Sequence, residues 1–357
     1  MRPSHKPYIA VGIVFLGALL FAGFIFVWQR GGLPLSNPFS ETATPIETTI
    51  NETPASGATI PQSYEWSYGG HEWTWNLQIP EGLYLYYHAI ERAPVSDYSI
   101  YVTHPLDDSF IKGLAEELKS RATERGFDEE ETADFVASFV QNLVYQSEEG
   151  EYPKYPVETL FDRGGDCEDT SILTAALLQA MEYDVVLLNF PPVLPDEAGH
   201  MAVGLALPAI SGGYKYNFDG EDYYYLETTS VSKAGEIPDN YRGRDPTVYK
   251  ILPIPVLKFT DELRWTTYSR WLAEETLTLE VTVTNWGTAD AKGVYVRAFF
   301  VGDEANAKTS APFDLKYGYQ ISPVTVEKVV MPAGGVTLCV ELFEGGVKVE
   351  EWIEQVS

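Results

Sequence analysis

The period of the apolar residues changes once along these 357 residues, and that change dictates that the chain holds two kinds of fold. Up to about Pro255, helical and strand spacings are mixed. Tyr64, Trp66 and Tyr68 alternate, Gly69-Gly70 supplies a two-residue turn, and Trp73, Trp75 and Leu77 follow, the pattern of a β-hairpin. Aromatic ladders of this kind pack sheets more often than they stack sugars. Glu81 to Ile90 is expected as a short helix. Asp108 to Arg125 carries Phe110, Ile111, Leu114, Ala115 and Leu118 on one helical stripe, with Gly126 as its C-cap. Asp128, with Glu131 three residues on, opens a second helix as a capping box. Beyond Pro255 the helical period is gone. Leu277, Leu279, Val281 and Val283 alternate, as do Val294, Val296, Ala298 and Phe300, and then Val336, Leu338, Val340 and Leu342. Short alternating segments in series make a β-sandwich. The expectation is an α+β domain over 61–255, opened by the aromatic hairpin in 61–96, and a β-sandwich over 256–357.

Ahead of both lies an uncharged run of 21 residues, Tyr8 to Trp28. At 1.5 Å per residue it spans a hydrocarbon core of about 30 Å. Arg2 and Lys6 precede it and Arg30 alone follows closely, so the positive-inside bias places 1–7 in the cytoplasm, 8–28 across the membrane and the remainder outside. Residues 29–60 read as a flexible tether, with sixteen Gly, Pro, Ser or Thr between Gly31 and Ile60. Asn51-Glu52-Thr53 within it fits a glycosylation acceptor. The balance of 24 Lys+Arg against 52 Asp+Glu, a net charge of −28, argues against nucleic acid and anionic lipid heads as partners. No cofactor is named, Asp128-Glu129-Glu130-Glu131 is better read as a helix start than as a cation site, and any metal requirement stays open. The oligomeric state stays open.

Two cysteines occur, too few for a disulfide framework, and because they fall in different expected domains no bridge between Cys167 and Cys339 is expected. Cys339 sits in an alternating strand and reads as structural. Cys167 is different. It lies in Gly164-Gly165-Asp166-Cys167-Glu168-Asp169-Thr170, where the glycines allow positive φ and close backbone approach and Asp166 is a preferred N-cap for the apolar series Ser171 to Met181. A cysteine in a first helical turn faces unpaired N–H groups that favour a thiolate, whereas Asp166, Glu168 and Asp169 oppose it. A thiol nucleophile needs a base and a group to hold that base. After a strand from Asp184 to Phe190, His200 begins a further strand, and a hairpin through Asp219-Gly220 leads to Tyr225-Leu226-Glu227-Thr228-Thr229.

The segments Gly165-Asp166-Cys167-Glu168-Asp169, Gly199-His200-Met201-Ala202-Val203-Gly204 and Tyr225-Leu226-Glu227-Thr228-Thr229, with the lead-in Tyr155-Pro156-Val157-Glu158-Thr159-Leu160, resemble the transglutaminase-like family in residue type and order. The resemblance covers roughly residues 97–241 and is closest to the microbial, cysteine-peptidase-like branch. It implies a papain/transglutaminase-like core with helices packed on an antiparallel sheet, and Cys167 as nucleophile. His200 would then be general base and acid, and Glu227 the group that orients it. The family usually has aspartate in that last place, so the added methylene loosens the geometry or makes the backbone retreat, and Asp219 and Asp222 are rivals. The Cys167 backbone N–H is one expected oxyanion donor and the Tyr155 side chain a second. The implied activity is cysteine-dependent cleavage of an amide in a protein or peptide at the cell surface. The alternatives are a crosslinking acyl transferase and a non-catalytic binding or scaffold module. The strand-turn Thr282 to Ala291 resembles immunoglobulin-like adhesion modules of microbial surface proteins.

Overall fold

A computed structural model describes residues 45–356 apart from 50–56, 94, 148–149, 193–197, 209, 269–274 and 333–335. The expected cytoplasmic segment, membrane span and most of the tether lie outside these residues. Among the described residues no helix is long and apolar enough to cross a membrane. The described part of the tether departs from expectation twice: the strand Thr59–Tyr68 begins two residues inside it, and a separate strand precedes that. Ile46–Thr49 is a strand, paired antiparallel with Tyr319–Val330 so that Ile46 faces Ser322. A run of three β-branched residues in four is enough to occupy an open sheet edge, a local signal that the composition of a thirty-residue stretch averages away.

The strands Thr59–Tyr68 and His71–Pro80 form the expected hairpin. Its inner face, Tyr64, Trp66, Trp73, Trp75, Leu77 and Ile79, is buried. The indoles close on the helix Glu129–Gln141: Trp73 lies 4.6 Å from Phe135 and Trp75 5.0 Å from Phe139, centroid to centroid. Offset and edge-on pairs at such distances contribute about 0.5–1.5 kcal/mol each beyond burial. The Tyr64 hydroxyl also donates to the Leu160 carbonyl at 2.5 Å, which ties the hairpin to the helix Pro156–Asp162 just ahead of Gly164. Gly126 takes the left-handed φ of 75° that ends Asp108–Arg125, and Asp128 and Glu131 complete the capping box of the next helix.

These elements surround the helix Cys167–Ala180, in which Ile172, Leu173, Ala175, Leu177 and Leu178 have no solvent contact. A helix apolar on every side has to lie inside the fold. One of its neighbours is an antiparallel sheet whose strands run in the order Thr247–Lys250, Val185–Phe190, His200–Ala206, Glu221–Leu226, Lys215–Phe218. Helices on such a sheet make the mixed α and β core that the sequence implies.

From Leu257 onward a second apolar core begins. Two antiparallel sheets contribute to it, one through Leu277, Leu279, Val281 and Val283 and the other through Val294, Val296, Ala298, Phe300, Leu338, Val340 and Leu342. Asn285 joins the two regions. Its buried amide accepts from the N–H groups of Val256 and Gly287 and donates to the carbonyls of Ala289 and Leu315. All the polar capacity of this buried group is thereby used.

Candidate active site

The chain reaches Cys167 through a narrow passage. The helix Pro156–Asp162 ends on Arg163, whose φ is 57°, and Gly164-Gly165 then pairs in parallel with Val144-Tyr145. Neither glycine adopts positive φ. They are required for close approach instead: a Cβ at 164 would collide with the Val144 carbonyl, and one at 165 with the Asp169 side chain. Asp166 caps the helix by accepting from the N–H groups of Glu168 at 3.2 Å and Asp169 at 3.4 Å, and Asp169 accepts in return from the Asp166 N–H. Cys167 is the first helical residue. Its own N–H is not used by this cap and remains the expected oxyanion donor.

The thiol is not an activated one in this state. Sγ is buried and donates to Glu168 Oε2 at 2.9 Å. Burial first, then the Glu168 charge and hydrogen bond and the Asp166 charge, push its pKa well above the ordinary thiol value, while the Met201 N–H pulls the other way. Glu168 is itself pushed up to about 7 by burial and by Asp166. The helix terminus therefore does not lower this pKa as its place in the sequence suggests. Charge was legible in advance, but burial was not.

His200 opens its strand buried at 9% exposure. Nε2 lies 3.2 Å from Glu227 Oε2 and 3.2 Å from the Tyr225 hydroxyl. Glu227 is held by further donors: Tyr225 Oη at 2.6 Å on Oε2, and the Thr228 N–H, the Thr229 N–H and the Thr229 hydroxyl on Oε1. Burial alone would raise this carboxyl, but the hydrogen bond and charge of His200, the Tyr225 hydroxyl and the Thr229 N–H outweigh it and hold the pKa at about 2. The methylene that separates glutamate from the family's aspartate does not loosen the group, because five donors fix both oxygens. Tyr241 stacks on the imidazole at 4.4 Å and 18°, with Phe190 at 6.3 Å. Sequence reasoning missed Tyr225 and Tyr241. Tyr225 carried a usable signal, since positions two apart on a strand share a face, whereas nothing local marks Tyr241.

Cys167 and His200 line one cleft of about 480 Å³, together with Asp166, Glu168, Glu151 and the rings of Tyr98, Tyr145 and Tyr152. Residues 110–219 match the transglutaminase-like domain family. The chain carries a transglutaminase-like domain. The match includes Cys167 and His200 and ends before Glu227. Two solved structures resemble the chain at low similarity. One is a candidate cysteine protease from Cytophaga hutchinsonii, with a TM-score of 0.27 and 13% identity over 58% of this chain and 81% of that one. The other is a candidate protease from Parabacteroides distasonis ATCC 8503, with a TM-score of 0.27 and 14% identity over 80% of this chain and 66% of that one. No curated protein matches the chain.

The rivals of Glu227 are engaged elsewhere. Asp219 pairs with Lys250 and Asp222 with Lys215 on the exposed hairpin. Tyr155 does not line the cleft, contrary to its expected role in the oxyanion site. It is the residue before Pro156, which favours extended backbone there, and its ring points into the core, stacked at 4.1 Å on Tyr87 and 4.9 Å from Tyr101. In the sandwich, Cys339, Glu341 and Glu351 bring three metal-type donors within 4.8 Å of one another. Lys348 and Arg297 already pair with these carboxylates, so the group reads as an ion-pair network.

The Tyr155 cluster makes a prediction of its own. Tyr87 donates to Asp107 Oδ1 at 3.0 Å, and burial outweighs that bond and raises the Asp107 carboxyl from 3.8 to about 8. The folded state thus holds a proton that the unfolded chain releases near pH 4. Its contribution is fully present below that pH and is lost as pH rises towards 8, by at most about 4 kcal/mol between pH 5 and 9. Asp107→Asn should remove this slope. Thermal melts of both proteins at pH 5 and 9 decide it, and equal slopes would rule it out.

Proposed function

We propose that this chain is a cysteine-dependent hydrolase that cleaves amides of proteins or peptides outside the cell through an acyl-enzyme. The observation that carries this reading is the commitment of His200 Nε2 to Glu227, in a cleft that Cys167 also lines. It leaves Nδ1 as the nitrogen that can exchange a proton with the thiol. In the proposed sequence Sγ gives its proton to Nδ1 and attacks the carbonyl carbon, and the Cys167 N–H receives the developing oxyanion. His200 then returns the proton to the departing amine, and a water activated by the same nitrogen releases the acid. An acyl transferase would share the first half and resolve the thioester with an amine.

The non-catalytic reading is favoured by a different observation, the buried thiol tied to a carboxylate. One experiment separates the three. Peptide libraries are supplied outside intact cells that carry the full-length chain or its Cys167→Ala variant, with and without a primary amine. Cys167-dependent cleavage supports the hydrolase. Amine incorporation without cleavage supports the transferase, and binding with neither supports the module. Cleavage that appears only after the cells are opened would overturn the outside placement that residues 8–28 imply.

A further inference from the structure

We propose that Glu168 is the specificity residue of this cleft. It selects a substrate with a lysine- or arginine-like cation beside the scissile amide, and that cation, by pairing with Glu168, releases the thiol that Glu168 holds. The inference rests on the amide-cleaving reading and names the substrate class of the same site.

Three observations carry it. The proton of Cys167 is committed to Glu168 Oε2 at 2.9 Å, so proton transfer to His200 requires that bond to break. Among the described residues lining the cleft there is no lysine or arginine, and the imidazole is committed to Glu227. The other acids have strong donors of their own: Asp166 accepts two backbone N–H groups and Glu151 accepts the Tyr98 hydroxyl at 2.7 Å. Glu168 has a thiol, its own backbone and the Asp166 carboxyl as partners. A thiol is a weak donor, and burial first, then the neighbouring Asp166 charge, holds the Glu168 carboxyl above its ordinary value.

A substrate ammonium or guanidinium placed at Oε2 would supply the missing countercharge in a partly desolvated site, where charge pairing is strong. The rings of Tyr98 and Tyr145 line the same cleft, and tyrosine faces attract such cations, whereas the ring of Tyr152 already carries the Arg92 guanidinium at 4.0 Å. With Glu168 ionised and paired to the cation, the thiol proton is free to pass to Nδ1 of His200. A neutral or acidic side chain at that place leaves the thiol bound.

The test uses the full-length chain with Cys339→Ser, so that a single thiol reports. Cationic (trimethylammonium-ethyl) and anionic (sulfonatoethyl) methanethiosulfonates are compared at pH 7.5, each rate normalised to that of the reagent with a small free thiol. The cationic reagent should modify Cys167 at least about tenfold faster, and the preference should shrink with added salt. Glu168→Gln should reduce it to within about threefold. Equal normalised rates in the unsubstituted site, or a preference that Glu168→Gln leaves intact, would overturn the proposal. The salt series and the reagent pair need no variant, so the outcome stands if Glu168→Gln does not fold. Peptides with lysine, norleucine or glutamate next to the scissile amide are turned over by the same preparation. Charge-selective labelling with no cleavage keeps the selection and removes the hydrolase reading. Cleavage that ignores charge removes the selection and keeps the hydrolase.

Discussion

His200→Ala is expected to lower amide turnover by about 10³-fold, and Glu227→Gln by nearly as much. The first loss follows from removing the group that takes and returns the proton. The second follows from the five donors around Glu227. Three of them converge on Oε1 and two, from Tyr225 and His200, on Oε2. A glutamine has one acceptor oxygen, and it belongs where the Thr228 and Thr229 donors meet. Its NH₂ then faces Nε2, which can pair with it only as an acceptor. The imidazole proton moves to Nδ1, the nitrogen that must accept from Cys167, and the base is held in the wrong tautomer. Turnover of a Cys167-dependent peptide by the three proteins, with melting temperatures as controls, tests this. A His200→Ala variant that is folded and within threefold of the unsubstituted chain would remove His200 from the mechanism.

Features that depend on chemistry within four residues were legible in the sequence. Gly126, Asp128 with Glu131, Asp166, and the turns at Gly69-Gly70 and Asp219-Gly220 are all such cases, because a cap or tight turn is specified by the residues that form it. Alternation from Leu277 to Val283 sufficed for the sandwich because one strand face is buried along its whole length. What escaped depends on partners distant in sequence. The strand Ile46–Thr49 needs an edge more than 250 residues away. Tyr155 is a candidate oxyanion donor in the sequence, yet the rings of Tyr87 and Tyr101 decide where it points. Of the candidate site, the order of Cys167, His200 and Glu227 was readable, and the structure brings His200 to Glu227 and into one cleft with Cys167. The tyrosines that clamp this pair, and the depth that turns Glu168 from a first-turn acid into the holder of the thiol, were not.

Gly165→Ala should cost on the order of 3 kcal/mol or more and displace Cys167, lowering turnover beyond what the lost stability explains. The added Cβ would lie 2.8 Å from Asp169 Cγ and closer still to its Cβ and Oδ2. Asp169 cannot swing away cheaply. It accepts from the Lys154 N–H at 2.7 Å and the Asp166 N–H at 3.2 Å, and it lies 3.7 Å from the buried Lys154 ammonium. Giving up these contacts would cost the helix its reciprocal cap and take from the buried Lys154 ammonium one of its carboxylate partners, with Asp162 at 3.3 Å remaining. Nor would a shorter side chain at 169 remove the collision, since its Cβ is among the atoms met. The backbone at 165 must move instead, and it is held from the far side by the Gln146 N–H, which donates to the Gly165 carbonyl at 2.9 Å. Any adjustment is therefore passed forward through Asp166 to Cys167, away from the Met201 N–H and the histidine strand. Melting temperature and Cys167-dependent turnover, measured on the same Gly165→Ala preparation, decide this. A melt within about 2 °C of the unsubstituted protein, a shift that corresponds to less than about 1 kcal/mol, together with unchanged turnover, would show that the Asp169 side accommodates the methyl and that close approach is not why glycine stands there.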